Sequence, residues 1–458
     1  MLCAIPIEIA MRELDGVLYL ALHLAARGLP TLLGERMVNR YVLSSGKPVI
    51  YFDSDQDVSV NTAVLASGGV VLNLNPEGLN QWDRNEVVDN HLRILSCVSR
   101  ICAWGEHQAR MFRSRMPADK AELVTVTGYP SFDLACRKFL PYYRDESLVR
   151  RHGEDYTLIN TSFTCNHVMG FDYYISMLGR MKEWRIYRDE QFMSFMRRTA
   201  EYQRQLLEPF AELARSLATR FPERHVIIRP HPVENMDFYR DRTRDLPNVF
   251  VDRSGSVRNW IASAGAVVHH DCTTGLEALL MGKPLIQYRP IFDEELAAPL
   301  VSHLGAPAEN AEEVISLAAD TGQAAFGGAQ CEALRPHFAN LRQNASRVIA
   351  DLAASFAARG PETWLPRPPG FWESLSCWRK YASKLLRARQ PGRNGRKVRY
   401  ALAKFPRTSV EEIRNRIERM RTIEPDLPRV DVEHLTLNTF LVKPEARLEG
   451  AHGASPSA

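Results

Sequence analysis

The sequence predicts an α/β protein with two Rossmann-like domains facing a cleft and a helical C-terminal extension. Three observations carry this prediction. Short β-rich runs alternate with helix-like stretches, the pattern of βα units around a mostly parallel sheet. Pro, Gly, Asn or Ser bounds the runs of the later series, as open α/β sheets require. The series is also interrupted at Phe139 to Glu154, a charge-dense, aperiodic stretch that divides it in two. With 458 residues, 45% of them hydrophobic, the chain has apolar material for more than one core at about 150 residues per domain.

The first series contains Gly46 to Phe52, Gly69 to Leu74, Val98 to Trp104 and Leu123 to Val126 as strands. Val17 to Ala26 precedes them, follows Glu13 and Asp15, contains His23, and is too short to span a bilayer; it reads as an amphipathic helix behind a strand. The second series comprises Thr157 to Thr161, a long amphipathic stretch from Gln191 to Arg220, His225 to Ile228, Val249 to Val251, Ala266 to His269, a helix over Gly275 to Met281, and Pro284 to Tyr288. Ala311 to Arg359 reads as helical, until Pro361, Pro366, Pro368 and Pro369 end regular structure. The expected divisions are 1–150, 151–345, and a helical, basic extension over 346–458 whose last residues, 449–458, are expected to be disordered.

Composition narrows the function classes. A net charge of +4 over this length does not imply nucleic-acid binding. The eight cysteines form no CxxC pair and have no His partner at zinc-finger spacing, so neither a structural metal nor a disulfide framework is indicated and a reducing cytoplasm fits. No export signal or transmembrane anchor is expected. Basic character is local: residues 371–404 hold ten Lys and Arg against Glu373 alone, with Phe371, Trp372, Trp378 and Tyr381 interleaved. Such mixing suits an anionic membrane surface; a solvated basic helix that packs its aromatics on the protein is the other reading.

The chemistry concentrates in two motifs. Ala266 to Ile286 reads as strand, tight loop, helix, turn and strand, which puts Thr273, Thr274 and Gly275 at a helix N-terminus beyond a strand's carboxyl end. Backbone N–H groups and the helix dipole there suit a phosphate, although an ordinary Thr cap would give the same pattern. In His225-Val-Ile-Ile-Arg-Pro-His-Pro a buried strand delivers Arg229 and His231 to the same edge, with prolines stiffening the backbone on both sides of the histidine. Ser256, in the following loop, either caps the helix carrying Trp260 or touches ligand.

Arg229-Pro-His-Pro, Cys272-Thr-Thr-Gly-Leu-Glu-Ala and Gly282-Lys-Pro resemble bacterial surface-carbohydrate biosynthesis proteins of the GT-B fold. These are related to the sialyl- and polysialyltransferases, the capsule Kdo transferases and, more distantly, the CDP-glycerol glycerophosphotransferases. The resemblance covers roughly residues 1 to 345 and is also seen in Arg12 to Gly16, Trp104-Gly-Glu, Thr127-Gly-Tyr-Pro and Asn160-Thr-Ser-Phe. It implies an acceptor-side domain followed by a donor domain. It further implies that His231-Pro232 and Thr273-Thr274 bind the phosphate and cytidine of a CMP-activated donor, with Arg229, Ser256, Gly275, Thr161 and Ser162 around them. The family's catalytic base comes from a motif of two acidic residues and a Gly. The nearest match, Pro76-Glu77-Gly78, has lost its first acid, so Glu77 alone carries the role. Glu77 follows a strand and is preferred; Asp15, with Glu13 beside it, is the rival.

Two further patterns read as decoys. Asp53-Ser54-Asp55 has a metal-binding DxD form that belongs to a different sheet arrangement, and the adjacent side chains of His269-His270-Asp271 diverge at a strand end. No metal and no cofactor is called for. The expected function is transfer of an ulosonic or nonulosonic acid from its CMP donor to a surface polysaccharide or lipid-linked acceptor, by a cytoplasmic enzyme peripheral on the inner membrane. The alternatives are a CDP-glycerol-type polyol-phosphate transferase, a nucleotide-sugar epimerase, and a non-catalytic subunit of a polysaccharide assembly complex.

Overall fold

The structure, a computed structural model, describes residues 1–76, 85–183, 190–322 and 328–445. Its strands are β1 (Leu2–Pro6), β2 (Thr31–Gly34), β3 (Val49–Asp53), β4 (Val70–Asn73), β5 (Arg100–Ala103), β6 (Val124–Val126), β7 (Tyr156–Asn160), β8 (Val226–Arg229), β9 (Val249–Val251), β10 (Ala264–His269), β11 (Leu285–Tyr288), β12 (Ala306–Ala308), β13 (Val430–Thr436) and β14 (Thr439–Pro444). Among the described residues they form two sheets, of order β13-β14-β2-β1-β3-β4-β5-β6 and β12-β11-β10-β7-β8-β9. The second sheet is parallel throughout. In the first, β2, β1 and β3 run parallel, as do β5 and β6. The protein is therefore an α/β protein with two Rossmann-like sheets, as the alternation of runs predicts.

The short apolar runs become strands because both faces of a parallel sheet are covered and near-continuous hydrophobicity is tolerated there. One face of the second sheet shows how: Ile159, Ile228, Val268 and Ile286 share a core with Leu206, Phe210, Ala214 and Leu217 of the helix Glu190–Arg220. Each such buried side chain contributes about 1.5 to 3 kcal/mol.

Contacts group Met1–Asp53, Ser59–Leu72 and the chain from Ser346 onward into one compact unit, and Ser54–Val58 with Asn73–Ala345 into another. The grouping does not break the chain at residue 150, because Phe139 to Glu154 is well tied within the second unit. The buried Arg258, for instance, donates to the Ser131 carbonyl and to the Tyr143 hydroxyl.

The C-terminal residues also correct the expectation of a purely helical extension. Helices Phe371–Ala388, Gly392–Lys404 and Val410–Ile423 are present, but β13 and β14 follow as an antiparallel hairpin, and β14 pairs antiparallel with β2. The strand signal is Thr439-Phe-Leu-Val, whose Phe440, Leu441 and Val442 are buried. Gly34 makes room for it. Its φ is +144°, and a Cβ there would stand 2.0 Å from the Asn438 carbonyl oxygen. Residues 449–458, expected to be disordered, lie outside the described residues.

Candidate nucleotide site at the carboxyl edge of the second sheet

Parallel register lines up polar residues across the carboxyl ends of four strands. Asn160 on β7 pairs with Arg229 on β8, Ile159 pairs with Val268, which places His269 beside Asn160, and His269 pairs with Gln287 on β11. Side chains alternate along a strand. The row Arg229, Asn160, His269, Gln287 therefore occupies the face opposite the helix Glu190–Arg220.

Three members of the row are engaged. The Arg229 guanidinium forks onto the carbonyls of Ser254 (2.9 Å) and Gly255 (2.6 Å), and burial pushes its pKa down to about 10. This braces the loop after β9 and takes two of five donors. Gln287 donates to the Ser302 carbonyl. His269 donates through Nε2 to the Leu304 carbonyl at 2.9 Å, so Nδ1 carries the lone pair; burial holds the ring neutral, its pKa lowered to about 4.

Asn160 differs. It is 2% exposed, and neither its Nδ2 nor its Oδ1 has a hydrogen-bond partner; His269 Nδ1 is likewise buried and unpartnered. Buried polar groups are nearly always satisfied, and an orphaned amide costs about 1 to 3 kcal/mol.

Against the His269 ring starts the helix Thr273–Leu280. Its N-cap is Cys272, whose side chain makes no capping bond, so the reading of an ordinary Thr cap does not hold. Thr273 and Thr274 are the first two helical residues, both half-buried, and the Thr274 hydroxyl lies 3.1 Å from Cys272 Sγ. Gly275 is required by close approach: a Cβ there would meet the His269 ring at 2.5 Å. The buried ion pair of Arg258 with Glu277 at 2.7 Å holds the helix in place.

The histidine motif is organised by a residue that sequence reading passed over. Glu234, fully buried, accepts from the Thr161 hydroxyl (2.8 Å), Phe163 N–H (3.1 Å), His231 N–H (3.0 Å) and the Tyr239 hydroxyl (2.9 Å). Burial raises its pKa to about 7 against those four donors. The His231 backbone is fixed further by Arg253, which donates to the Pro232 and Glu234 carbonyls, each at 2.9 Å. His231 Nδ1 accepts the Val233 N–H at 3.4 Å, which in the neutral ring leaves the proton on Nε2. A signal for Glu234 was available: a carboxylate four residues beyond Pro230, in the turn that must close after β8.

Other expected contacts have partners within the protein. Thr161 is buried and donates its hydroxyl to Glu234. Ser162 donates to Asp271 at 3.2 Å, and Asp271 also accepts Ala298 N–H. Ser256 accepts Arg258 N–H and is the cap of Val257–Ser263. His269 and His270 diverge: His270 turns to the Tyr202 hydroxyl (2.7 Å) and the Tyr288 carbonyl (2.9 Å).

In the other compact unit, Glu13 is buried and pushed above the usual carboxylate range by desolvation, while Arg12 pulls it down; it accepts the Glu8 N–H at 3.1 Å at the start of the helix Ala10–Ala25. Asp15 pairs with Arg416 at 2.6 Å, which ties the N-terminal helix to Val410–Ile423. Both rival bases thus have structural work. Asp53 is buried and accepts from Asn61 at 3.0 Å. Glu77 lies outside the described residues. Among the described residues no group of His, Cys, Asp and Glu is arranged to hold a metal.

Neither a protein-family model nor a curated protein matches the sequence. Solved structures are distantly similar. The UDP-GlcNAc 2-epimerase of Neisseria meningitidis, bound to UDP-GlcNAc, is 12% identical with a TM-score of 0.46, over 77% of this chain and 99% of that one. HepE of Anabaena in complex with UDP and glucose is 12% identical with a TM-score of 0.43, over 77% and 99%. The wall teichoic acid polymerase TagF is 11% identical with a TM-score of 0.41, over 70% and 85%. At these values the likeness is one of overall α/β architecture, and the ligands named belong to those proteins.

Proposed function

We propose that the protein is an inverting, metal-independent glycosyltransferase that moves a CMP-activated ulosonic or nonulosonic acid onto a surface polysaccharide or lipid-linked acceptor. The observation that carries this reading is the helix N-terminus at Thr273, without a side-chain cap and set against His269, whose Nδ1 and neighbouring Asn160 amide are unpartnered. A nucleotide brings phosphate oxygens for the helix N–H groups and hydroxyls that can both donate and accept, which matches an amide beside a neutral imidazole acceptor. The motif resemblance selects cytidine among nucleotides and glycosyl transfer among reactions.

In this mechanism the leaving phosphate gains charge as the glycosidic bond breaks. The fixed dipoles of the Thr273–Leu280 helix, the Thr273 and Thr274 hydroxyls, the remaining donors of Arg229 and the His231 Nε2–H stabilise it, so no metal is needed for that charge. Glu77 takes the proton of the acceptor hydroxyl as that oxygen attacks.

Calorimetry with CMP, CDP, UDP and GDP tests the donor site. CMP or CDP should bind, and Asn160→Leu should weaken binding roughly tenfold. A UDP-only or GDP-only response would overturn the donor assignment. In a verified transfer assay Glu77→Gln should slow turnover by roughly a hundred- to ten-thousandfold with nucleotide affinity unchanged; full activity in that variant would remove Glu77 as the base.

A further inference from the structure

The helix Phe371–Ala388 presents an apolar stripe to solvent, an arrangement the sequence alone left open. Phe371 is 74% exposed, Trp372 77% and Leu386 64%, and Leu375, Trp378 and Leu385 are exposed as well. At 3.6 residues per turn these six side chains share one arc of about 140°. The helix docks by a different side. Cys377 is buried and takes a contact from Arg40 at 3.8 Å, and Lys384 stands 4.0 Å from Glu35. Phe371 and Trp372 therefore do not pack on the protein, which argues against a basic helix that buries all its aromatics, although Trp378 does lie under Arg407.

The chemistry around the stripe identifies what covers it. Residues 371–404 carry ten Lys and Arg against Glu373. Arg379, Lys380 and Arg387 are exposed on the same helix, and Arg407 lies over the Trp378 ring at 4.8 Å. Arg399 of the next helix, Gly392–Lys404, donates to the Ala388 carbonyl at 2.6 Å and joins the two into one basic element. A second copy of the same face would bring like charges together. No described helix is long and apolar enough to cross a membrane.

We propose that Phe371–Ala388 is an interfacial anchor that lays its apolar stripe into the headgroup region of an anionic bilayer, with the flanking Arg and Lys side chains on the lipid phosphates. Aromatic and leucine side chains on one face with cations beside them are the residue types that such helices use, and cations near an anionic surface add attraction that salt screens.

Sedimentation of the full chain with vesicles tests this. The protein should pellet with vesicles of phosphatidylcholine and phosphatidylglycerol in equal parts, much less with phosphatidylcholine alone, and less at raised salt. Phe371→Ser, Trp372→Ser and Leu386→Ser combined should reduce partitioning by at least about tenfold, with the melting temperature unchanged because all three side chains are exposed. Equal pelleting of variant and wild type, or no preference for the anionic vesicles, would overturn the proposal. A fall in melting temperature, or a wild-type dimer that the triple variant abolishes, would assign the stripe to packing or to a second copy and would also overturn it.

Discussion

Two regions at the carboxyl edge of the second sheet, a strand apart, treat buried polarity in opposite ways. At the end of β8, the Glu234 carboxylate receives two hydroxyls and two backbone N–H groups. At the ends of β7 and β10, the Asn160 amide and His269 Nδ1 receive none. Both regions are fully buried, so burial does not distinguish them. A saturated carboxylate sets the shape of its loops and has little capacity left for a ligand, whereas an unsaturated amide is a standing cost that a partner would relieve. The contrast separates polar groups saturated within the protein from polar groups that keep unused hydrogen-bonding capacity.

The largest expected effect breaks the saturated region. Glu234→Ala would leave two buried hydroxyls and two N–H groups without their acceptor, and should cost roughly 3 to 5 kcal/mol in denaturant unfolding. A loss below about 1 kcal/mol would mean that the loops hold themselves and that Glu234 does not organise the motif.

The same carboxyl gives a pH signature. Its pKa is about 7 folded against 4.5 for an ordinary glutamate, so between these values the folded state binds the proton that the unfolded state has released. Stability should then fall as pH rises through that window, by about 3 kcal/mol in all, and level off above it. Glu234→Gln should flatten this part of the profile, and identical profiles for the two proteins would show that the group titrates normally.

Next is the joint between the helix start and the orphaned pair. Gly275→Ala drives a Cβ to 2.5 Å from the His269 ring, which is held by its bond to the Leu304 carbonyl. The ring must move, at about 1 to 3 kcal/mol, and a neutral substitution would show that His269 does not support the helix. The smallest stability effect belongs to Asn160→Leu. Replacing an unsatisfied amide by an apolar group of similar size should leave unfolding free energy unchanged or raise it by about 1 kcal/mol, while nucleotide binding weakens. A loss of stability instead would show that Asn160 is bonded in the folded protein and would erase the comparison.

Legibility differs along the same lines. Strand ends and the helix Thr273–Leu280 were readable because a Pro- or Gly-bounded apolar run has few ways to be buried, and Thr273, Thr274, Gly275, Arg229 and His231 follow directly from those ends. Thr161 and Ser162 were found for their motif, but their partners were not, since Glu234 and Asp271 lie 73 and 109 residues away from them. The hairpin β13–β14 carries a readable pattern in Thr439-Phe-Leu-Val; that it completes a sheet begun at β2 depends on Gly34, some 400 residues earlier, lacking a Cβ.

Local periodicity and punctuation thus determined the α/β class, the two series of strands, the basic and aromatic composition of 371–404, and the strand and helix ends at which Arg229, His231, Thr273 and Thr274 stand. These properties depend on residues near one another in the chain, so they can be read without the fold. Tertiary structure alone decided that Asn160 stands unpartnered between Arg229 and His269, that Glu234 gathers Thr161, Phe163, His231 and Tyr239, that Asp15 is tied to Arg416, and that Trp372 faces solvent. Each of these is a matter of register or packing between distant segments, where the residue opposite, and not the residue adjacent, sets whether a polar or apolar group is satisfied.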